Sequence, residues 1–523
     1  LDAAGQFETA RRALEFFVRY QRSDGKIPHE ISQSAGRIRW FEDYPYAFYH
    51  ADTTPYWLMA WGDYWKATAD TATIRRVWPA IRKAYEWCRT TVDSTTGLML
   101  NSKGGLGAVE VGDLGVGVRS DIYLSAVWVE ALERVARMAD AVEPGRRKTP
   151  GLGAGARALR ERALASVRDR FWLPAQGFYA FALLEDGAIR PELTVWPSTA
   201  MSFGLFDDER GMAAARVQAR ATLLTDWGAR SLAGESALFD PLHYNNGTVW
   251  PFVTGFTALG QYRYRNPVMG FTALEQIARS GFTWGLGRNP EVFAGMQYEP
   301  LETAVPQQFF GTSFIPTVLA RGLVGWEPDL PAGFIRLAPQ LPAGWDTLTV
   351  HHAPAGRAAY DLAIGKGPGR LTMYLTASPA DSGSGPAPVI RFEPHLPPGS
   401  VVTGVTADGV PASCGPVTLT PRDVQPMCTI PLRAPLRIEV QYQPGYEVLL
   451  PETRPARGDR SRGLRLLDQR VRGDSLFLAL EGPAGSTGGI RVRHGTERTV
   501  QVTFPPGGDR IDDYSEAEVV IGP

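Results

Sequence analysis

The sequence predicts a mainly α protein, an (α/α)6 toroid followed by a C-terminal β-sandwich. Three observations predict it. Apolar residues recur at helical spacing in about ten segments up to residue 325, with no credible strand ladder between them. The helices fall in pairs joined by alternating short and long loops, as when inner and outer helices alternate around a ring. After about residue 330 the period changes to the two-residue alternation of strands, bounded by Gly and Pro turns.

The helices follow in order. Ala3 to Tyr20 carries Phe7, Ala10, Leu14, Phe17 and Val18 on one stripe. Thr53 to Ala69 has Thr53 and Thr54 as expected caps and Pro55 in the first turn. Thr71 to Val92, Ser120 to Val142 and Gly153 to Phe171 come next, then Trp196 to Phe203, Asp207 to Leu224, Gly247 to Tyr264, Pro267 to Gly285 and Pro306 to Gly322. Several are apolar almost all round, which suits an inner ring packed on both sides. A toroid of six hairpins needs two helices per hairpin, so a first helix or an N-terminal domain is expected to precede Leu1.

Strand patterns begin with Phe334 to Leu337, Thr347 to Val350, Ala359 to Ile364 and Leu371 to Thr376, and run on to Leu436 to Tyr442. Ala380 to Pro388, rich in Ser, Gly and Pro, reads as a loop. The expected domains are a helical catalytic domain at 1–328, an antiparallel β-sandwich at 329–445 and an additional small β unit at 446–523. The linker Arg454 to Arg462 leads into the last of these.

Composition narrows the function. The 54 basic and 55 acidic residues cancel, which argues against nucleic acid or an anionic membrane surface as partner. No apolar run is long enough to span a bilayer. Fourteen Trp among 523 residues offer platforms for sugar rings, although large helical cores use Trp as well. Of the three Cys, Cys414 and Cys428 lie in the β-rich part and are candidates to pair. A chain opening on Leu1, directly in a helix, reads as processed or truncated. The compartment stays open, with the cytoplasm slightly favoured over secretion.

The chemistry concentrates in loops. Asn289-Pro-Glu-Val-Phe-Ala-Gly-Met-Gln-Tyr-Glu-Pro300 carries Glu291 off a helix end into a stretch holding Phe293, Met296 and Tyr298, with Phe309 and Phe310 just beyond. An acid set among aromatics suggests a cavity for a sugar, and loops on rigid scaffolds carry much catalysis. Inverting cleavage of a glycosidic bond needs two carboxyl groups about 6.5–9.5 Å apart, one protonating the leaving oxygen and one activating water. Glu291 is the leading candidate for one of the two. Gly104 to Asp121 is Gly-rich, as suits close approach of a ligand, and supplies Glu110 and Asp113, while Asp121 reads as a helix-dipole partner. Gly234 to Pro251 supplies Tyr244, Asn245, Asn246 and Trp250 as an amide and indole surface, with Asn246 an alternative helix cap. Trp40, His50 and Asp52 form a further candidate wall, Asp52 doubling as a possible N-cap. The seven His do not cluster in sequence, and His29 and His50 lack a ligand-spaced partner, so no metal is expected. No Walker motif or dinucleotide fingerprint is present, so no cofactor is expected.

These residues resemble a known group. Asp24-Gly-Lys-Ile-Pro28, Asp52-Thr-Thr-Pro55, His243-Tyr-Asn-Asn-Gly-Thr-Val-Trp-Pro251, Pro290-Glu-Val-Phe-Ala-Gly295 and Pro306-Gln-Gln308 look like the glycogen-debranching amylo-α-1,6-glucosidase family, across nearly all of residues 1–325. Its (α/α)6 relatives include glucoamylases and family 63 α-glucosidases. The resemblance implies the six-hairpin glycosidase fold, an α-linked oligo- or polysaccharide substrate and Glu291 as general base, with Gln307 among the substrate-binding residues. It places the acid before the helix from Ser120, commonly in a Trp-Met-Asp context. Here Ala108-Val-Glu110 and Val111-Gly-Asp113 stand in that place, so residue type favours Asp113, with Glu110 close behind. Phe334 to Trp345 resembles the start of the β-sandwich in rhamnosidases and related phosphorylases. An inverting phosphorylase, a rhamnosidase, or a toroid that only binds carbohydrate are the rival readings. Oligomeric state is not legible.

Overall fold

The computed structural model describes residues 2–143, 151–378, 388–507 and 511–522. The expected loop at 380–388 falls, except for Pro388, outside the described residues. The chain forms two compact units, one of residues 6–207 with 1–2, the other of 208–523 with 3–5. That division falls inside the helical region, upstream of the expected boundary at 328.

The first unit holds α1 (Phe7–Val18), α2 (Trp40–Asp43), α3 (Thr53–Thr68), α4 (Thr71–Thr90), α5 (Asn101–Gly104), α6 (Ile122–Val142), α7 (Leu152–Arg170) and α8 (Pro197–Ser202). α6 is its axis and packs against α3, α4, α7 and α8. Its residues from Ile122 to Leu132 are all buried, Ser125 and Glu130 among them. A helix buried all round needs its polar groups answered. Glu130 pairs with Arg134, which also reaches Asp63 on α3. On α3, Trp57 and Tyr64 meet Trp61 edge-on, filling the core with aromatic area. Asp70 caps α4 by accepting from the Thr73 amide.

Two features of this unit differ from expectation. Strands do occur between the helices: Val118–Asp121 pairs with Ala182–Leu184, which pairs with Ile189–Arg190, and Trp172–Leu173 forms a hairpin with Phe178–Tyr179. At two to four residues each, they are too short to show a period. Thr53 and Thr54 are not caps, because α3 begins at Thr53 and Asp52 occupies the N-cap position.

The second unit begins with α9 (Asp208–Gln218), α10 (Pro251–Arg263), α11 (Pro267–Gly285) and α12 (Phe309–Val318). α9 ends at Gln218 rather than Leu224, α10 starts at Pro251 rather than Gly247, and α12 starts at Phe309 rather than Pro306. Proline explains the second shift, since its fixed φ and missing N–H suit a first turn. A π-helical turn, Leu319–Val324, closes the helical part at Gly325.

A β-rich region follows. One six-stranded antiparallel sheet contains Thr347–Ala355, Ala358–Gly367, Arg370–Ala377 and Leu436–Gln443; a five-stranded sheet contains Trp326–Asp329, Phe334–Leu337, Val389–Phe392 and Cys428–Pro431. Alternate residues Leu371, Met373 and Leu375 are buried, as the two-residue period requires. The expected purely antiparallel arrangement has one exception, because Val389–Phe392 runs parallel to Phe334–Leu337. Cys414 and Cys428 face each other across paired strands and form a disulfide. Two three-stranded sheets make up the C-terminal part, one built on Thr487–His494 and one on Ser475–Pro483. No described helix is long and apolar enough to cross a membrane.

Candidate active site

In the second unit, Glu291 leaves α11 through a tight loop. Asn289 is fully buried and donates its amide to Ile277 O and Ser280 Oγ at 2.8 Å each, tying the loop's entry to α11. Glu291 then exchanges backbone and side-chain bonds with Val305: its N–H donates to Val305 O at 2.9 Å, and its Oε2 accepts from Val305 N–H at 3.2 Å. Its Oε1 accepts from the Tyr244 hydroxyl at 2.8 Å and from Gln308 Nε2 at 3.4 Å. Donors from three separate chain positions therefore fix one half-buried carboxylate. Such a group is oriented before any substrate arrives, which is what a base needs.

The Tyr244 loop lies against this loop. Val249 and Phe293 exchange two backbone hydrogen bonds, and Gly295 donates to Pro241 O. A Cβ at Gly295 would stand 2.2 Å from Gly247 O, so only glycine permits that approach. Tyr244 meets the Trp250 ring edge-on at 4.6 Å.

Several sequence expectations need correction here. Phe293 is fully buried in a core cluster with Trp227, Val249 and Tyr298, and of these Tyr298 and Trp227 also line a cavity beside α11, with Phe271, Gln276 and Arg279. Phe309 and Phe310 are the exposed aromatics, at 65 % and 55 %. The Trp250 indole N–H is spent on Tyr244 O and Thr248 Oγ1, so Trp250 supports Tyr244 rather than presenting a donor. Asn245 and Asn246 are buried, and both backbone amides donate to His243 Nδ1 at 3.2 Å, a supporting role for His243 that the sequence did not suggest. Asn246 does not cap α10, whose N-cap is Trp250. Gln307 is exposed and bonds Arg288, while its neighbour Gln308 reaches Glu291. Glu299 is engaged by Arg457.

In the first unit, His29, His50, Asp52 and Glu110 come together from three loops. The His29 and His50 rings stack at 3.7 Å with an interplanar angle of 14°. His50 Nδ1 lies 3.6 Å from Asp52 Oδ1, and His50 Nε2 lies 3.4 Å from Glu110 Oε1. Asp52 does not use its carboxylate as a helix cap; its Oδ2 accepts from the Tyr123 hydroxyl on α6 at 2.8 Å. Asp52 Oδ1 and His50 Nε2 are buried and make no hydrogen bond among the described residues. Burial, reinforced by His50 alongside, pushes His29 down to about 4, so it is neutral near pH 7.

Could this group hold a metal ion? Ligand atoms of His29, His50 and Asp52 lie within 4.8 Å of one another, a proximity the sequence did not suggest. Yet an imidazole lone pair lies in its ring plane, and two stacked, nearly parallel rings do not converge on one ion. The stacking fits packing better than ligation.

The two candidate acids separate clearly. Asp113 opens a short 3-10 turn and is exposed. Glu110 is partly sheltered, with a side chain 30 % exposed, and faces His50. Asp121 is the side-chain cap of α6 at Leu124 N–H, 2.6 Å, and also accepts from Ala108 N–H and Asn101 Nδ2. The Gly-rich stretch serves that cap: a Cβ at Gly107 would stand 1.9 Å from Asp121 Oδ2. Its glycine there lets backbone approach the chain's own carboxylate, not a ligand. Trp40, on α2, stacks on Tyr44 at 5.0 Å and donates to Glu30 O.

A family model and several solved structures are similar to the chain. Residues 113–286 match the family model described as a mannosylglycerate hydrolase MGH1-like glycoside hydrolase domain. Among curated proteins, none matches the chain. A sialidase structure is similar with a TM-score of 0.51 at 13 % identity, over 63 % of this chain and 31 % of that one. The chain thus spans about a third of that protein's length, and identity this low bears on fold alone. The GH63 mannosylglycerate hydrolase from Thermus thermophilus, in complex with Tris and D-glycerate, aligns with a TM-score of 0.48 at 15 % identity, over 61 % of this chain and 91 % of that one. A GH78 family rhamnosidase of Bacillus sp. GL1 aligns at 0.47 and 17 %, over 75 % and 37 %. The match supports a glycoside hydrolase without singling out the debranching type that the motifs resemble. Residues 113–286 match a glycoside hydrolase domain, and a glycoside hydrolase is the enzyme class that this match supports.

Proposed function

We propose that this chain cleaves an α-linked glycosidic bond of an oligosaccharide or small glycoside with inversion, on an (α/α)6 toroid followed by a β-sandwich. Glu291 is the general base and Glu110 the general acid. The observation that carries the reading is the Glu291 carboxylate, oriented by Tyr244, Gln308 and the Val305 amide. In this reading Glu291 takes the proton of the attacking water, and Glu110 gives a proton to the departing oxygen. Glu110 replaces Asp113 as the preferred acid because Asp113 is exposed while Glu110 shares a sheltered corner with His50 and Asp52. In this reading Asp52 and Tyr244 hold sugar hydroxyls; each is already part of a hydrogen-bonded pair that fixes it.

The substrate panel follows from both resemblances: maltose- and isomaltose-type glucans, rhamnosides, and an α-mannoside of glycerate, the last prompted by the description of the matched family. Wild type and Glu291→Gln are incubated with each, and product anomers are followed by NMR. An inverted monosaccharide released by wild type and not by the variant supports the reading. Release with retained configuration, or undiminished turnover by Glu291→Gln, would sink it. Turnover that depends on added phosphate would instead support the phosphorylase reading.

A further inference from the structure

The Glu291 loop is gripped by the C-terminal part of the chain. Three contacts fall on its outgoing arm. Arg457 forks onto both oxygens of Glu299 at 2.7 and 2.6 Å. Tyr298 N–H donates to Asp459 O at 2.9 Å, and Gly458 N–H returns a bond to Tyr298 O at 3.2 Å. Arg230, fully buried, donates Nε to Gly295 O at 2.7 Å and forks onto Asp512 at 2.5 and 2.7 Å.

Arg230 belongs to the connection after α9, and the C-terminal sheets hold that connection too. The buried Asp226 pairs with Arg465 at 2.6 Å and accepts the amides of Arg462 and Gly463. Glu481 accepts the Ala221 amide at 2.5 Å. From Gly295 the path back to Glu291 is short and stiff, because Phe293 is locked to Val249 by two backbone bonds.

We infer that Asp512 and the segment 456–459 are positioning elements for Glu291, so that the C-terminal β unit is part of the catalytic machinery rather than an appendage. The inference rests on Glu291 being the base. Asp512 supplies the carboxylate for a guanidinium with no access to water. Without it Arg230 must find another partner, and Gly295 loses a fixed donor. A displacement of about 1 Å at a catalytic group costs on the order of 100-fold in rate. The matched domain, residues 113–286, includes Arg230 and ends before Glu291, the segment 456–459 and Asp512.

The test is a double-mutant cycle between Asp512→Asn and Glu291→Gln, with Arg457→Ala as a second variant whose exposed ion pair does not threaten folding. The probes are para-nitrophenyl α-glucoside and α-mannoside, and hydrogen exchange over residues 291–305 is read in parallel. Asp512→Asn should lower kcat about 30-fold and Arg457→Ala about 3-fold, with KM nearly unchanged. In the Glu291→Gln background both effects should vanish, because the residue they position is gone. A general loss of structure would instead reduce the residual rate again. Exchange in the loop should rise in both single variants. Folded variants with wild-type kcat, or losses that persist undiminished beside Glu291→Gln, overturn the inference. If Asp512→Asn does not fold, Arg457→Ala decides it. Where wild type turns over neither probe, unchanged exchange in both variants overturns it and raised exchange supports it. Undiminished turnover by Glu291→Gln would instead remove the base reading itself.

Discussion

Two loops carry the candidate carboxylates, and they hold them differently. Glu291 sits on a loop whose aromatics face inward, and three donors fix its carboxylate. Glu110 sits on a glycine-rich loop built around the Asp121 cap, and what faces it is an imidazole backed by Asp52. The difference teaches what each can do. A carboxylate surrounded by donors is held in one orientation. The other has instead an imidazole nitrogen 3.4 Å from its carboxylate.

The sharpest way to break this comparison is Glu291→Gln, which keeps the shape and removes the base. The proposed function predicts a fall in kcat of about 10³-fold or more, measured on whichever glycoside wild type cleaves fastest. Next comes the acid. Glu110→Gln should lower kcat about 100-fold on a substrate with a poor leaving group, and much less on an activated aryl glycoside that needs little protonation. Asp113→Asn, in contrast, should stay within about twofold, as surface substitutions do. The reverse pattern would hand the role back to Asp113.

Tyr244→Phe tests the orienting donor alone. Losing one hydrogen bond to a charged group should cost about 10-fold, seen in kcat more than in KM. The smallest effect concerns stability. His29 is lowered from 6.5 to about 4 in the fold, so the unfolded chain binds a proton first as pH falls. Its contribution is intact above about 6.5 and is lost progressively towards about 4. Thermal melts across that window should show a shallower acid decline for His29→Phe than for wild type. Equal slopes would mean that the stacked pair is not the acid-sensitive element.

Much of this was legible in the sequence because helices advertise themselves. The 3.6-residue period located α3, α4, α6, α7 and α11 to within a few residues at each end. Glu291 and Tyr244 were legible as motif pieces, and the structure brings them into contact across 47 residues. The resemblance points to Gln307, whereas its neighbour Gln308, just before α12 at Phe309, bonds Glu291. In that extended stretch a single residue turns the side chain to the other face. Phe293 belongs to the core and not to a cavity wall, since composition cannot tell an aromatic facing a ligand from one facing its own core. The His29–His50 stack was invisible because its members lie on separate loops, at a spacing no helix or strand imposes.

One small contact has a wider reach. Gly295 and Gly247 press backbone to backbone where no side chain fits, so the loop bearing Tyr244 and the loop bearing Glu291 fit only each other. They form one structural unit. An attempt to alter specificity by grafting either loop alone from a relative would import a shape without its counterpart, and the two must be exchanged together.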